Sequence, residues 1–387
     1  MALYCGGADM ADVNIHVCLV SGQPTPNVTP VLDERVRPRK VVLLVSKDME
    51  ERAKWLNDVL SSHKVIVQER FLNSNPWDVE QLREELLSIV TELRSDDIAL
   101  NVTGGTKPMA IAAYEVFRTF DLPVFYVHPE RDRLIWLYPK KPAIDLENRI
   151  RVGNFLAVHG YRVVSTPNRA SVPEPWRTLT SHLVNGIDRY GKPMGYVNFL
   201  AATAERSLVS NALDPAKKNW RELNDLLELF EQHGFLSRQG VQLVFPDEEH
   251  RFFVNGGWLE YHVKSILDDL RPKFLIQDIA QDLEVCSAKS RQVKNEIDVA
   301  FLAENRLYIV ECKTKRFDQQ ETVAGSETLY KLDFLREFGG LMSSCMLVSF
   351  RELPIHDQER AAAMKIRTVI GRGIQRLAKE ITAWLSK

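Results

Sequence analysis

The 387-residue chain lacks most of the features that would classify it quickly. Its five cysteines (Cys5, Cys18, Cys286, Cys312, Cys345) form an odd, scattered set with no C-x-x-C spacing. That argues against a disulfide framework or a zinc site and reads as reduced thiols in a cytoplasmic protein. No apolar run approaches the ~20 residues of a membrane-spanning helix. The first residues carry Asp9 and Asp12, with no Lys or Arg ahead of an apolar stretch, so neither a membrane span nor a secretory signal is expected. Neither sign of charge dominates, with 50 Lys and Arg against 52 Asp and Glu. The first 150 residues hold 18 against 22 and residues 251–387 hold 21 against 19, so any polyanion must be held by a local site. The nine histidines include no H-E-x-x-H pair, and there is no internal repeat or low-complexity segment.

What remains is ordinary globular composition, 45% apolar and 26% charged, with length for two or three domains. Strand-length apolar runs at 14–20, 40–46, 64–68, 97–102 and 124–127 alternate with helical patterns at 49–60 and 79–93. Residues 133–138 close a hairpin after them. Nearly continuous apolar strands between helices predict a parallel sheet covered on both faces, an α/β Rossmann-like domain over 1–148. From 149 to 250 the pattern turns helical, at 176–187 and 220–233 with Gly234 as C-cap, then a short hairpin at 235–245. This middle segment reads either as a small winged-helix domain or as a plain helical linker. From Phe252 to the end the order is strand, helix, long strands, helix, strand, helix, an α/β domain over 251–387. One helix there has Trp258, Leu259, Val263, Ile266, Leu267 and Leu270 on a single face, and strands follow at 274–279, 296–302 and 307–312.

Residues 295–314 read NEIDVAFLAENRLYIVECKT. A tight hairpin near Asn305 brings Asp298 beside Glu311, because the two lie about equally far from the turn. Residues two apart on a strand share a face, so Glu311 and Lys313 point together while Cys312 points away. Two carboxylates and an ammonium at one spot suit Mg²⁺ or Mn²⁺, with the lysine orienting or deprotonating a water that attacks a phosphodiester. The plainer reading is a solvated charged pair at a strand end. Glu260 stands on the preceding helix, either as a further acid or as the i,i+4 surface partner of Lys264.

Two loops in the first domain follow strands. VTGGTKPM (102–109) combines two glycines, a helix start and Lys107, either an anion site or a strand-to-helix turn with Pro108 opening the helix. Its glycine spacing is not that of a Walker A loop. SGQPTPNVTP (21–30) is the second, and parallel sheets bind ligands where such loops gather, at the carboxyl ends of their strands.

These residues carry a resemblance. An acid on a helix, then Asp298, then Glu311-x-Lys313 across a hairpin resembles the PD-(D/E)xK fold of restriction-type endonucleases, with Ile297 where that pattern has proline. The resemblance implies Asp298, Glu311 and the carbonyl of Cys312 as metal ligands, Lys313 as catalytic lysine and Glu260 as accessory acid. The two N-terminal loops resemble those of CARF domains, dimeric Rossmann-like sensors of cyclic oligoadenylates. By that likeness Ser21, Gly22, Gln23, Thr25 and Asn27 belong to one ligand loop, and Thr103, Gly104, Gly105, Thr106 and Lys107 to the other. The order CARF, middle module, nuclease resembles the CRISPR ancillary nucleases. It implies a cytoplasmic homodimer that cleaves DNA or RNA with a divalent metal once cyclic tetra-adenylate binds. The competing reading is a ligand-responsive DNA-binding regulator with an inert nuclease module. Destruction of the activator by the sensor itself has no evident acid–base pair. Arg372, Arg376 and Lys379 read as a solvated helix face, and Trp258 as core.

Overall fold

A computed structural model describes residues 13–93, 97–129, 131–147, 150–165, 171–314 and 322–386. The first sheet has seven strands: β1 (Ile15–Leu19), β2 (Lys40–Val45), β3 (Ile66–Phe71), β4 (Ile98–Asn101), β5 (Val124–His128), β6 (Arg133–Tyr138) and β7 (Ile144–Asp145). They lie in the order 3-2-1-4-5-6-7, parallel through β5, with β6 and β7 antiparallel. Their unbroken apolar runs follow from burial on both faces. In β2, Val42 and Leu44 enter the core beneath one helix layer, while Val41, Leu43 and Val45 enter a core shared with the second half of the chain. The helices are α1 (Thr25–Leu32), α2 (Glu50–Ser62), α3 (Val79–Leu93) and α4 (Lys107–Thr119). In α3, Leu82, Leu86, Val90 and Leu93 bury one stripe at helical spacing.

Helix α1 begins inside the stretch 21–30 that reads as a loop. Pro26 sits in its first turn, where a missing N–H costs nothing. Pro30 cannot donate to the Pro26 carbonyl, and the Asn101 side-chain amide takes that carbonyl at 2.9 Å instead.

The 149–250 stretch contributes α5 (Val152–Val158), β8 (Tyr161–Ser165), α6 (Glu174–Asn185), α7 (Ile187–Thr203), α8 (Arg221–Gln232) and the hairpin β9 (Ser237–Gln239) and β10 (Gln242–Val244). Gly234 closes α8 at φ 76°, as its sequence position predicts. Val209 forms an antiparallel bridge to Val244 beside this hairpin. The core of this stretch, built on Leu226, Phe230 and Phe235, runs without a break into that of the last domain through Phe253, Trp258 and Phe350.

The last stretch holds α9 (Glu248–Phe252), α10 (Trp258–Phe274), β11 (Ile276–Ser287), β12 (Ser290–Ala303), β13 (Arg306–Lys313), α11 (Thr322–Arg336), β14 (Ser344–Ser349), α12 (Ile355–Ala363), β15 (Arg367–Ile370) and α13 (Leu377–Leu385). Its sheet order is 15-14-13-12-11-8, so β8 from the middle stretch forms one edge. The strand expected at Phe252 is instead helical, continuing as a π turn over Phe253–Gly257. Gly256 makes that turn possible. Its φ is 113°, and a Cβ there would stand 2.1 Å from the Thr314 hydroxyl. Strands β11 and β12 run much further than 274–279 and 296–302, because Leu283 and Val285 alternate inward between polar neighbours up to the Ser287/Ser290 turn. Among the described residues no helix is long and apolar enough to cross a membrane.

Candidate functional site

The β12–β13 register pairs Val299 with Val310, which puts Asp298 opposite Glu311. The turn between them is Glu304–Asn305, both at positive φ (51° and 56°), the twist a two-residue hairpin requires. Asp298 is 9% exposed and Glu311 wholly buried. Asp298 Oδ2 accepts the Cys312 backbone N–H at 2.6 Å, and Glu311 Oε1 receives Lys313 Nζ at 2.6 Å. The two carboxylates and the lysine thus converge at the end of the sheet. Glu260, buried on α10, accepts from Gln281 Nε2 at 3.3 Å, and Lys264 donates to Asp268 one turn further on. Burial, and then the charges of Asp298, Glu260 and Glu311, push the Cys312 thiol well up.

Lys331, which sequence reading passes over, donates to both oxygens of Glu311 at 3.0 and 2.9 Å. It arrives on α11, the helix that crosses from β13 to the parallel strand β14, a placement no local pattern announces. Burial, then repulsion from Glu311, pushes Asp298 up to about 7, against the pull of Lys313 and Lys331. Burial alone would lower Lys313, but Glu311 and Asp298 beside it hold it above the ordinary lysine range.

The two N-terminal loops meet where strand order reverses between β1 and β4, the crevice at which doubly wound sheets bind ligands. Ser21, Gly22, Gln23, Thr103 and Gly105 line a cleft of about 800 Å³. Its far wall comes from elements the sequence does not connect to the loops: Arg52 and Trp55 on α2, then His159, Tyr161, Glu337 and Gly340. Arg52 Nη1 donates to the Gly22 carbonyl at 3.0 Å. Burial lowers His159 to about 4, so its imidazole is neutral.

The remaining expected loop residues divide. Asn27 is buried and spends its amide inside, donating to the Leu19 carbonyl at 3.0 Å and accepting from Asn101 Nδ2 at 2.9 Å. It locks the two loops together. Gly104 is an approach point, since a Cβ there would stand 2.1 Å from the Leu19 carbonyl oxygen. Thr106 caps α4 through the Met109 N–H and donates to the Pro76 carbonyl at 2.7 Å, on the rim of a second cleft of about 800 Å³ that includes the exposed Trp77. Thr25 opens α1 half-buried and Lys107 opens α4 exposed, and neither lines the first cleft.

Comparison with known proteins agrees with both halves. A family model for the Card1 CARF domain matches residues 15–155, and one for a Card1-like endonuclease domain matches residues 247–387. No curated protein matches the chain. Among solved structures, protein VC1899 from Vibrio cholerae superposes with a TM-score of 0.86 at 30% identity, covering 96% of this chain and 98% of its own. Two others share the fold at lower identity. Can2 from Sulfobacillus thermosulfidooxidans, solved with cyclic tetra-adenylate, has a TM-score of 0.75 at 24% identity over 98% of this chain and 99% of its own. A type III CRISPR defence DNA nuclease activated by cyclic oligoadenylate has a TM-score of 0.57 at 22% identity, over 88% of this chain and 46% of its own. With both halves matched and a 30% identical relative covered almost end to end, the chain belongs to the Card1 family, which joins a CARF domain to an endonuclease domain.

Proposed function

We propose that this protein is a divalent-metal-dependent nuclease of type III CRISPR defence, cleaving DNA or RNA as a homodimer when cyclic tetra-adenylate occupies the cleft between its sensor loops. The observation that carries the reading is the buried Asp298–Glu311 pair with Lys313 on neighbouring strands of the endonuclease domain. Burial, and then repulsion from Glu311, raise the affinity of Asp298 for a proton, and a cation bound between the two carboxylates would relieve both. Their oxygens are the donors hard cations prefer. Hard cations also take backbone carbonyls and water, and the Cys312 carbonyl is the first candidate for a further donor.

Asp298 and Glu311 would hold Mg²⁺ or Mn²⁺, which when bound supplies Lewis-acid neutralisation of a phosphodiester oxygen and an acidified water. Lys313, paired with Glu311 at 2.6 Å, stands where it would donate to the phosphate or orient or deprotonate the attacking water. Glu260, which accepts from Gln281, is proposed as the accessory acid.

The regulator reading is disfavoured by α8, which precedes the hairpin where a recognition helix would lie. Its exposed and half-buried positions include Glu222, Asp225 and Glu228, charges that a phosphate backbone repels. The test is cleavage of supercoiled plasmid and of labelled single-stranded RNA and DNA, with Mn²⁺ or Mg²⁺ and with or without cyclic tetra-adenylate. Asp298→Asn should lose about a thousandfold or more in rate, ~4 kcal/mol of transition-state stabilisation. Undiminished cleavage by that variant would overturn the assignment of the centre.

A further inference from the structure

One continuous segment, a helix and the turn that follows it, reaches both sites. Lys331, which grips both oxygens of Glu311, and Glu337, which lines the sensor cleft, are six residues apart, about 9 Å along a helix at ~1.5 Å per residue. Helix α11 ends at Arg336 and passes directly into the short 3-10 turn Glu337–Met342. That turn is firmly seated. Phe338 stacks on Tyr161 with ring centroids 3.8 Å apart, and Gly339 lies so close to β13 that a Cβ would stand 2.9 Å from that of Leu307. At the helix end, Arg336 Nη1 donates to the Met364 carbonyl at 2.7 Å. A displacement at the cleft wall therefore has little room to dissipate before it reaches Lys331.

The charges supply a force. A cyclic oligoadenylate is an anion, and a cation, Arg52, and an anion, Glu337, both line the cleft. Arriving phosphates attract the first and repel the second, so the ligand has a differential interaction with two positions of this turn, as coupling requires.

We propose, on the footing that the cleft takes a cyclic oligoadenylate, that α11 is the coupling element between sensor and nuclease: Glu337 reads the anion, and Lys331 transmits the shift by changing its grip on Glu311. Lys331 is then a positioning residue, acting on the cation site through that carboxylate.

Coupling is reciprocal, so it is measurable by binding alone. Calorimetry on the full chain would titrate cyclic tetra-adenylate with and without Mn²⁺. In the unaltered protein the metal should change activator affinity by a factor of about 5–150. Glu337→Gln should bind the activator several-fold more tightly, because a repulsive charge is gone, while the Mn²⁺ factor falls toward one. Lys331→Met should lose the same factor, and Lys331→Arg should recover part of it. Glu337 is exposed, so its replacement leaves the core intact and keeps the test valid if Lys331→Met unfolds. The proposal is overturned if both neutral variants retain the full factor, if Glu337→Gln binds the activator no better, or if the unaltered protein binds both ligands independently. An unaltered protein that does not bind cyclic tetra-adenylate at all would instead overturn the reading of the cleft.

Discussion

At the scale of single residues, chemistry and backbone geometry were legible to different degrees. Asp298, Glu311 and Lys313 stood out because a strand repeats every two residues and a two-residue turn fixes which positions face each other, so arithmetic from Asn305 sufficed. Lys331 and Arg52 did not, since each reaches its site by a crossover whose landing point is set by packing. Asn27 looked like a loop residue exposed to ligand and proved to be an internal clasp. The reason is Pro30, whose missing N–H leaves a carbonyl for Asn101 and draws both amides inward. The glycines also separate. Gly104→Ala sets a Cβ 2.1 Å from a backbone oxygen that cannot rotate away, whereas at Gly22 the nearest atom is the mobile Arg52 guanidinium at 3.5 Å. Gly104→Ala should cost about 2–3 kcal/mol and weaken activator binding more than tenfold, and Gly22→Ala should stay within about 0.5 kcal/mol. Urea unfolding with activator titration checks both.

At the scale of elements, the alternation of strands and helices in the first domain was readable to within a few residues because doubly covered strands are unbroken apolar runs. The long hairpin β11–β12 is only half legible, since its outer reach is half-buried and alternates polar with apolar residues. The π turn at Phe253–Gly257 stands where a strand is expected from Phe252 onward, and the close approach of Gly256 to Thr314 accounts for its shape. The β12–β13 turn remains suboptimal, with Glu304 held at φ 51° where Asn is far better tolerated. Glu304→Asn should stabilise the protein by about 0.5–1 kcal/mol with nuclease activity unchanged, read as a higher urea midpoint at the same m-value.

At the scale of the whole molecule, the expected divisions near 148 and 250 meet a continuous structure. Strand β8 completes the nuclease sheet, α5 packs against α2, and the core holding Val41 and Leu43 also holds Leu283, Ile309 and Leu347. We propose that the chain works as two bodies, a sensor and a nuclease that has absorbed the middle stretch, joined along this shared core. Asp132 marks the seam. It is buried, which pushes it up to about 6, while Asn305 from the nuclease hairpin and Thr29 from α1 pull the other way and Asp33 adds repulsion. A carboxyl with a raised folded pKa contributes stability below its unfolded value near 3.8, and that contribution is lost as pH rises through 6. Asp132→Asn should therefore be the more stable protein above pH 6 and lose one proton's worth of slope, ~1.4 kcal/mol per pH unit, between about 4 and 6. Thermal unfolding across pH 4–8 would show it, and identical profiles for the two proteins would contradict it.

The central claim is that one chain senses an anion at one end and hydrolyses a phosphodiester at the other. Its most direct test is one pair of measurements, activator binding and metal-dependent cleavage, made together on the unaltered protein, Gly104→Ala and Asp298→Ala. The account predicts that the unaltered protein binds cyclic tetra-adenylate and cleaves only when it is present. It predicts that Asp298→Ala binds but does not cleave, and that Gly104→Ala binds the activator more than tenfold more weakly and needs correspondingly more of it to cleave. Full cleavage without activator, or cleavage surviving in Asp298→Ala, would contradict it.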